Sequence, residues 1–421
     1  MDHVHHLKCL ICGKTYAPDD IDYVCPDHGN EGIVDVQYDY DLIGRRISRE
    51  SLAQNPDQTI WRYKPLLPIR PSSPVPPLTV GGTPLYRADR LAGDLGLRHV
   101  WVKDDGRLPT ASFKDRASAI AVVKAQERGA AIITTASTGN AAAALSGLCA
   151  SVQQPNVIFV PETAPAAKIA QLLVFGSTVM LVRGTYDDAF ELCLQAADAY
   201  GWYNRNTGFN PYMSEGKKTA SLEICEQLGW EAPDAIFVSV GDGCIIGGLH
   251  KGLKDLLALG WIEHMPRIYG VQAAGSAYLY QAWANDEDVL TKPAIAAHTA
   301  ADSISAGLPR DRIKAMAAVK ETGGAYISVT DDEILAAIPA LARATGVFAE
   351  PAGAAAHAGL VKAVELGLVS ADDRIVVLTT GSGLKDVAGA MKSLDLVGTK
   401  PNRVAPDLDD LKRVMRQLGE S

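Results

Sequence analysis

The sequence predicts an α/β protein built on parallel sheets that are covered on both faces. From about residue 100, short apolar and β-branched runs such as "AIITTA", "NVIFVP" and "AIFVSV" alternate with helical stretches. Such runs are typical of strands buried on both faces, and their alternation with helices indicates βαβ units. The chain has 421 residues, of which 47% are hydrophobic and 21% charged, so it is long enough for two or three domains.

The predicted elements follow one another in a regular order. Strands are predicted at 99–105, 130–137, 156–161, 177–184, 235–241, 267–275 and 374–381. Helices are predicted at 111–129, 139–152, 164–176, 186–201, 215–229 and 244–260. In sheets of this kind the active site lies at the carboxyl ends of the strands, where loops lead into helices.

Composition and charge exclude several classes of protein. The net charge is −9 and no basic tract occurs, so we expect no nucleic-acid partner. No stretch reaches the ~20 uninterrupted apolar residues of a membrane span, and the start "MDHVHHLKCLICG" lacks the apolar run of a signal peptide. Seven cysteines, an odd and sparse count, imply no disulfide framework. We therefore expect a reduced, cytoplasmic protein without a membrane partner.

The amino-terminal segment has the ligand spacing of a zinc ribbon. Its paired ligands, separated by twelve residues, are Cys9, Cys12, Cys25 and His28. A short, loop-rich segment of this kind needs a metal to hold it together, so we predict a structural zinc ion in residues 1–40. The alternatives are reduced surface cysteines with a chance histidine, or a ligand drawn from His3, His5 or His6.

A proline-rich stretch links this segment to the rest of the chain. It runs from Arg62 to Gly82 as "RYKPLLPIRPSSPVPPLTVGG" and ends in a turn at "GGTPLYR". We predict that this stretch is extended and semi-rigid, within a connector that comprises residues 41–82.

The predicted helix 111–129 begins with "ASFKDR" and has a lysine in its first turn. Lys114 follows Phe113 and precedes small apolar residues, so we expect it to face inward. An ammonium group is costly to keep charged in such surroundings. Lys114 is therefore either a buried ion-pair partner or an amine used for chemistry.

Three strand-to-helix loops could contribute to a site. The loop Ser137–Ala141 offers hydroxyls and backbone N–H groups at a helix start, as a carboxylate or phosphate cradle or as an ordinary N-cap turn. The loop Gly241–Ile245 has glycines that allow close approach to a phosphate, although its spacing is neither that of a Walker A loop nor G-x-G-x-x-G. The loop Thr379–Gly383 offers a neutral hydroxyl or is a simple turn. Taken with the lysine, these loops suit pyridoxal phosphate, which needs an amine, a phosphate cradle and a partner for its ring nitrogen.

With these motifs the chain resembles threonine synthase and the wider tryptophan-synthase-β group, the fold type II enzymes that use pyridoxal phosphate. The resemblance extends from "GGTPLY" to "TTGSGLKD" and includes "SFKDR" at Ser112–Arg116 and "EPAGAAA" at Glu350–Ala356. It implies two doubly wound domains behind the zinc-ribbon-like segment. The large, cofactor-binding domain would comprise residues 83–130 and 228–421, and the small α/β domain residues 131–227.

The resemblance also implies roles for individual residues. Lys114 would carry the cofactor as a Schiff base and, once displaced, remove the α-proton of the substrate. Asn140 would bind the ring hydroxyl, and the neutral hydroxyl of Thr380 would face the ring nitrogen, which favours elimination and replacement reactions. The substrate carboxylate would be held by the loop of Ser137, Thr138, Gly139, Asn140 and Ala141. The cofactor phosphate would be held by Gly241, Asp242, Gly243, Cys244 and Ile245.

The stretches that would hold a second phosphate depart from the family pattern. Threonine synthases act on O-phosphohomoserine, yet Ala141 stands where threonine is usual, and Met213 stands at the arginine position of "NPxRxEGxKT". Thr207–Gly208 replaces an Asn-Ser pair. A phosphate dianion without these partners binds poorly, so we expect weak turnover of O-phosphohomoserine. Lys217 or Lys218 could compensate, but the simpler interpretation is that both are exposed helix lysines.

Three functions remain open from the sequence. The first is a threonine-synthase-like lyase that converts O-phosphohomoserine into L-threonine and phosphate. The second is β-elimination or β-replacement on a serine-, threonine- or phosphoserine-like amino acid, of the threonine dehydratase or cysteate synthase type. The third, a zinc-ribbon binding protein without catalysis, is disfavoured by the acidic charge and the intact lysine motif. The resemblance implies a homodimer that acts on a small amino acid.

Overall fold

The computed structural model describes residues 1–164 and 166–419. Its strands are β1 Val4–Cys9, β2 Thr15–Tyr16, β3 Val34–Tyr38, β4 Leu85–Arg87, β5 His99–Asp104, β6 Ile133–Ala136, β7 Asn156–Pro161, β8 Thr178–Val182, β9 Tyr203–Asn204, β10 Ala235–Ser239, β11 Arg267–Ala273, β12 Tyr326–Val329 and β13 Arg374–Thr379. Its α-helices are α1 Tyr40–Gly44, α2 Arg49–Ala53, α3 Asp89–Asp94, α4 Lys114–Glu127, α5 Asn140–Ser151, α6 Ala166–Val174, α7 Tyr186–Tyr200, α8 Tyr212–Lys217, α9 Thr219–Gln227, α10 Cys244–Ala258, α11 Tyr278–Ala284, α12 Arg312–Thr322, α13 Asp331–Thr345, α14 Pro351–Glu365, α15 Val387–Leu396 and α16 Leu408–Gln417. Short 3-10 helices occupy Gly29–Glu31, Ile60–Leu66, Asp105–Arg107, Ala274–Ser276, Asp302–Ile304 and Gly383–Lys385.

The larger sheet has the strand order β12-β11-β10-β13-β5-β4. Its strands are parallel except for the edge strand β4, which pairs antiparallel with β5. Alternate residues of a strand serve opposite cores. On β10, Ile236 and Val238 pack in the core that contains α10, whereas Ala235 and Phe237 pack in the core that contains α14. Both faces are therefore covered, as the continuous apolar runs predicted.

The smaller sheet has the order β8-β7-β6-β9, and its strands are all parallel. Phe159 of β7 packs against Phe190 and Cys193 of α7, while Ile158 faces the main core. The predicted α/β class with two parallel sheets is thus confirmed. The domain boundaries stay a prediction. All four strands of this sheet lie within residues 133–204, which supports a small domain at 131–227. Residues 165, 420 and 421 of the predicted domains lie outside the described part of the chain.

The amino-terminal segment is a three-stranded antiparallel sheet in the order β2-β1-β3. It docks on the main fold through charge pairs as well as apolar contacts. Glu31 pairs with Arg312 of α12, and the buried carboxylate of Asp35 lies 3.3 Å from Nζ of Lys314 and 3.7 Å from Nζ of Lys251. These two lysines hold the pKa of Asp35 well below its usual value against the opposing effect of burial.

The proline-rich stretch differs from the extended connector that we expected. It begins inside the 3-10 helix Ile60–Leu66, and the side chains of Tyr63 and Leu66 are buried in the main core. Arg62 forms an ion pair of 2.7 Å with Glu226 of α9. Apolar residues between the prolines have anchored the stretch to the fold, so it does not act as a free spacer. Within the described residues, no helix is long and apolar enough to cross a membrane.

We predict that Asp35→Asn destabilises the protein by about 3–5 kcal/mol, because a buried lysine pair loses its shared carboxylate. Urea unfolding measures the change. Asp372→Asn is the control, since Asp372 forms a largely exposed ion pair with Arg98 and its loss should cost no more than about 1 kcal/mol. Equal effects in the two variants would contradict this account of how the segment is docked.

Candidate active site

A cavity of about 670 Å³ lies where the loops at the carboxyl ends of β6, β10 and β13 meet. The structure brings together at this cavity all the residues that the sequence predicted for cofactor and substrate. They are Lys114, Ser137, Thr138, Gly139, Asn140, Ala141, Gly241, Asp242, Gly243, Cys244, Ile245 and Thr380. The position of the cavity is the one expected for parallel sheets, in which the chain leaves every strand at the same edge.

Lys114 opens α4 from a backbone that is fixed on its amino-terminal side. The N–H of Phe113 donates to the carbonyl of Thr380 at 2.9 Å, and the N–H of Ser382 donates to the carbonyl of Ala111 at 3.0 Å. Ala111 has φ of +62°, a left-handed conformation that costs a residue with a side chain about 1–2 kcal/mol. The contacts with residues 380–382 therefore hold a strained turn and set the direction in which Lys114 enters the cavity.

Arg116, two residues after Lys114, anchors the same helix through ion pairs. The fully buried guanidinium of Arg116 lies 2.6 Å from Asp105 and 2.6 Å from Glu223. Lys103 adds a third pair, 2.7 Å from Glu223. A buried cation needs partners of this kind, and the guanidinium fork donates to two carboxylates at once.

Lys114 itself is not part of this network, which favours the second of the two roles that its sequence position left open, that of an amine used for chemistry. Among the described residues, its ammonium forms no hydrogen bond and no ion pair, and its side chain lines the cavity. The pKa of Lys114 is lowered, first because its surroundings exclude water and then because Arg205 repels its charge. A lysine of this kind is available as a nucleophile or base.

The glycines of the loop after β10 lie too close to neighbouring segments to carry side chains. Gly243 has φ of +88°, and a Cβ atom there would lie 2.6 Å from Cβ of Ala315 and 2.9 Å from the carbonyl oxygen of Asp311. A Cβ on Gly241 would lie 2.8 Å from Cα of Ile304. Helix α10 begins directly afterwards at Cys244 without a side-chain cap, so its first N–H groups face the cavity. This arrangement fits a phosphate group.

Asn140 and Thr380 both line the cavity. The Asn140 amide donates to the carboxylate of Glu350 at 2.7 Å. Glu350 is buried, and burial raises its pKa to about 7 although the bond from Asn140 opposes the shift. Thr380 is buried at the end of β13 and lines the cavity. The sequence analysis gave Glu350 no role, although it identified "EPAGAAA" as one of the motifs shared with the family.

The two lysines after Met213 are not the exposed helix residues that we expected. Lys217 and Lys218 are both fully buried. Lys218 is a structural residue, paired with Glu215 at 2.6 Å and with Asp255 at 2.7 Å. Lys217 instead lines the cavity, and desolvation is the first cause that lowers its pKa to about 7. Their burial follows from the packing of α8 against α4 and α10, which the local sequence does not reveal.

A second cation of the cavity was missed in the sequence. Arg205 directly follows β9 and is fully buried, with its pKa lowered to about 10 chiefly by desolvation. Its position after a strand of the parallel sheet was the available indication. Ala141 and Thr207 also line the cavity, whereas Met213 packs into the apolar core.

The predicted metal ligands lie together in the amino-terminal sheet. The side-chain ligand atoms of Cys9, Cys12, Cys25 and His28 lie within 4.8 Å of one another. Sγ of Cys12 is 3.9 Å from Sγ of Cys25, close to the ~3.8 Å edge of a tetrahedron with zinc–sulfur bonds of 2.3 Å. The N–H of Ile11 points at Sγ of Cys9 at 3.4 Å, as in a metal knuckle. The geometry fits a four-ligand site, and none of these residues lines the cavity.

Comparison with known proteins gives the class to which this fold and cavity belong. A family model described as pyridoxal-phosphate dependent enzyme matches residues 77–381, so the chain belongs to that family. The protein is a pyridoxal-phosphate-dependent lyase with a type II fold, and its sequence is threonine synthase-like.

Individual relatives support this assignment over almost the whole chain. A threonine synthase of Methanocaldococcus jannaschii is 37% identical over 98% of this chain and 99% of its own length. One of Methanosarcina acetivorans is 40% identical over 91% of this chain and 93% of its own. Among solved structures, the processed form of threonine deaminase isoform 2 from Solanum lycopersicum superposes with a TM-score of 0.66 at 24% identity, covering 78% of this chain and 86% of that one. At that identity it shows the shared fold alone.

We predict that Gly243→Val lowers the affinity for pyridoxal phosphate roughly tenfold or more, because a branched side chain fits neither the backbone conformation nor the space. Fluorescence titration of the apoenzyme measures the dissociation constant. Gly367→Ala is the matched control: Gly367 also has a positive φ but has open space around its Cα, and it does not line the cavity. An affinity of Gly243→Val equal to that of the control would show that the cradle does not hold the cofactor.

Proposed function

We propose that the protein converts O-phosphohomoserine into L-threonine and phosphate. The observation that carries this proposal is the unpaired amine of Lys114, which shares one cavity with a glycine cradle and with further buried cations. The substrate is taken from the relatives, whose printed names are threonine synthase and which match the chain over nearly its full length. In the reaction the bond between the γ-carbon and the phosphate oxygen breaks, and water supplies the β-hydroxyl group.

The residues around the cavity take the following roles in this proposal. Bound pyridoxal phosphate supplies the electron sink for chemistry at the substrate carbons. Lys114 anchors the cofactor and, through Nζ, removes and returns protons; its lowered pKa favours the neutral amine that a base requires. The side-chain amide of Asn140 orients the cofactor by binding the hydroxyl group of its ring. Thr380 offers the ring nitrogen a neutral hydroxyl.

Substrate and cofactor are held by backbone groups of two helix starts. The loop Ser137–Ala141 binds the substrate carboxylate at the start of α5, and the loop Gly241–Ile245 binds the cofactor phosphate at the start of α10. Backbone donors suit both anions because they are fixed before the ligands arrive.

The alternative enzyme function is β-elimination or β-replacement on a serine-, threonine- or phosphoserine-like amino acid. Ala141, which gives the cavity no hydroxyl, and Met213, which packs in the core, favour this alternative. A zinc-ribbon protein without catalysis is no longer a candidate, because the chain belongs to an enzyme family.

Steady-state kinetics on three substrates separate these functions. We expect kcat/KM for O-phosphohomoserine at or above roughly 10⁴ M⁻¹s⁻¹, and lower values for L-threonine and O-phosphoserine. Lys114→Ala should abolish turnover of all three while the fold is retained by circular dichroism. Faster turnover of L-threonine or O-phosphoserine would assign the alternative chemistry instead.

We further propose a structural zinc ion bound by Cys9, Cys12, Cys25 and His28. The support is the paired spacing together with the clustering of the four ligand atoms. Four protein ligands leave no open coordination position for catalysis.

Metal analysis should find about one zinc ion per chain, as one four-ligand site requires. Cys12→Ser should lose the metal and lower the thermal stability of the amino-terminal sheet. Cys149→Ala should retain it, since Cys149 is buried in α5 and lies outside the cluster. Full zinc occupancy in Cys12→Ser would refute this ligand set.

A cytoplasmic homodimer is the remaining part of the proposal. The dimer rests on the family resemblance, and the compartment rests on the sparse, odd number of cysteines. Light scattering of the purified protein measures the mass of the assembly against the 44.7 kDa of one chain.

A further inference from the structure

Two buried cations of the cavity lack the partners that buried cations have elsewhere in this protein. The guanidinium of Arg205 donates to the hydroxyls of Ser118 at 3.1 Å and Thr207 at 3.2 Å, and its Nη2 has no partner among the described residues. The ammonium of Lys217 donates to the carbonyl of Met213 at 3.2 Å. Neither forms an ion pair with a carboxylate of the described chain.

Equally buried cations nearby show what the fold normally provides. Arg116, Lys103 and Lys218 are also fully buried, and each lies within 2.7 Å of a carboxylate oxygen. An uncompensated charge in such a position is unfavourable, and for Lys217 burial accordingly lowers the pKa to about 7. Arg205 and Lys217 both line the cavity, so an anion that enters it would supply the missing counter-charge.

Contacts with neighbouring elements fix the points from which both side chains enter the cavity. The N–H of Arg205 donates to the carbonyl of Thr134 at 2.8 Å, which ties Arg205 to β6. The stem of Lys217 passes α10 at Gly248, where an added Cβ would lie 2.6 Å from Cβ of Lys217. Lys217 lies four residues after Met213 and donates to its carbonyl, so it is one helical turn from the position where the sequence lacks an arginine.

We propose that Arg205 and Lys217 form the subsite for the phosphate group of the substrate, which rests on the function proposed above. Their charges replace the arginine that position 213 lacks, and the hydroxyl of Thr207 lies beside them. We expected poor phosphate binding because Lys217 looked exposed in the sequence and Arg205 had not been recognised, whereas both are fully buried. The subsite selects phosphorylated amino acids because a neutral leaving group leaves both cations without a counter-charge.

The test compares Arg205→Gln and Lys217→Gln with wild type as holoenzymes, using O-phosphohomoserine and inorganic phosphate as probes. Lys362→Gln is the control, because Lys362 pairs with Glu333 and does not line the cavity. Each subsite variant should raise KM for O-phosphohomoserine, and the inhibition constant of inorganic phosphate, roughly tenfold to a hundredfold. The dissociation constant for binding of pyridoxal phosphate to the apoenzyme should change less than about threefold, or 0.65 kcal/mol.

The outcomes distinguish the two phosphates that could occupy the subsite. Weaker binding of pyridoxal phosphate, with unchanged inhibition by inorganic phosphate at saturating cofactor, would assign both residues to the cofactor and overturn the proposal. An unchanged phosphate inhibition constant in both variants would also overturn it. If Arg205→Gln fails to fold by circular dichroism, Lys217→Gln alone decides.

Failure of the proposed function is recognised separately by the melting temperature of the holoenzyme. Inorganic phosphate should raise it in wild type and Lys362→Gln, and should not raise it in Lys217→Gln. If this pattern is found while wild type does not turn over O-phosphohomoserine, the subsite stands and the proposed reaction falls. If phosphate does not stabilise wild type, the subsite itself is refuted.

Discussion

The rest of the site depends on the ion pairs of the buried guanidinium of Arg116. It joins Asp105, just after β5, to Glu223 of α9, and it does so in the first turn of the helix that begins at Lys114. Lys103 pairs with Glu223 as well, whereas Lys114 takes no part in the network and lines the cavity. Arg116 thus fixes the start of the helix, and the side chain of Lys114, two residues earlier, stays available to the cavity.

The cavity as a whole combines three ways of receiving negative charge. The start of α10 offers backbone N–H groups, the start of α5 offers a second set, and Arg205 and Lys217 offer side-chain charge. Backbone donors bind an anion without a full charge of their own, whereas the buried cations remain costly until an anion arrives. A ligand that carries several anionic groups can therefore bind to several of these groups at once, whereas a neutral ligand can bind to few of them.

Much of the architecture could be predicted because it follows from short-range patterns. Continuous apolar runs identified the buried parallel strands, and the loops after β6, β10 and β13 then had to meet at one edge. The remaining parts of the site depend on packing between distant segments. The motif "EGKKT" suggests that Lys217 is exposed, but Lys217 is buried because α8 packs against α4 and α10. Glu350 accepts a hydrogen bond of 2.7 Å from Asn140, which is 210 residues away in the sequence. The proline-rich stretch was misjudged for the same reason, since its apolar residues find partners in the main core.

One short stretch, residues 310–314, serves two structures at once. Arg310 borders the cavity and the N–H of Asp311 donates to the carbonyl of Asp242 at 2.8 Å, while Arg312 and Lys314 pair with Glu31 and with Asp35 of the amino-terminal sheet. Arg312 and Lys314 are largely buried beneath that sheet. Cutting the chain after the amino-terminal segment would therefore uncover a charged wall rather than a finished surface.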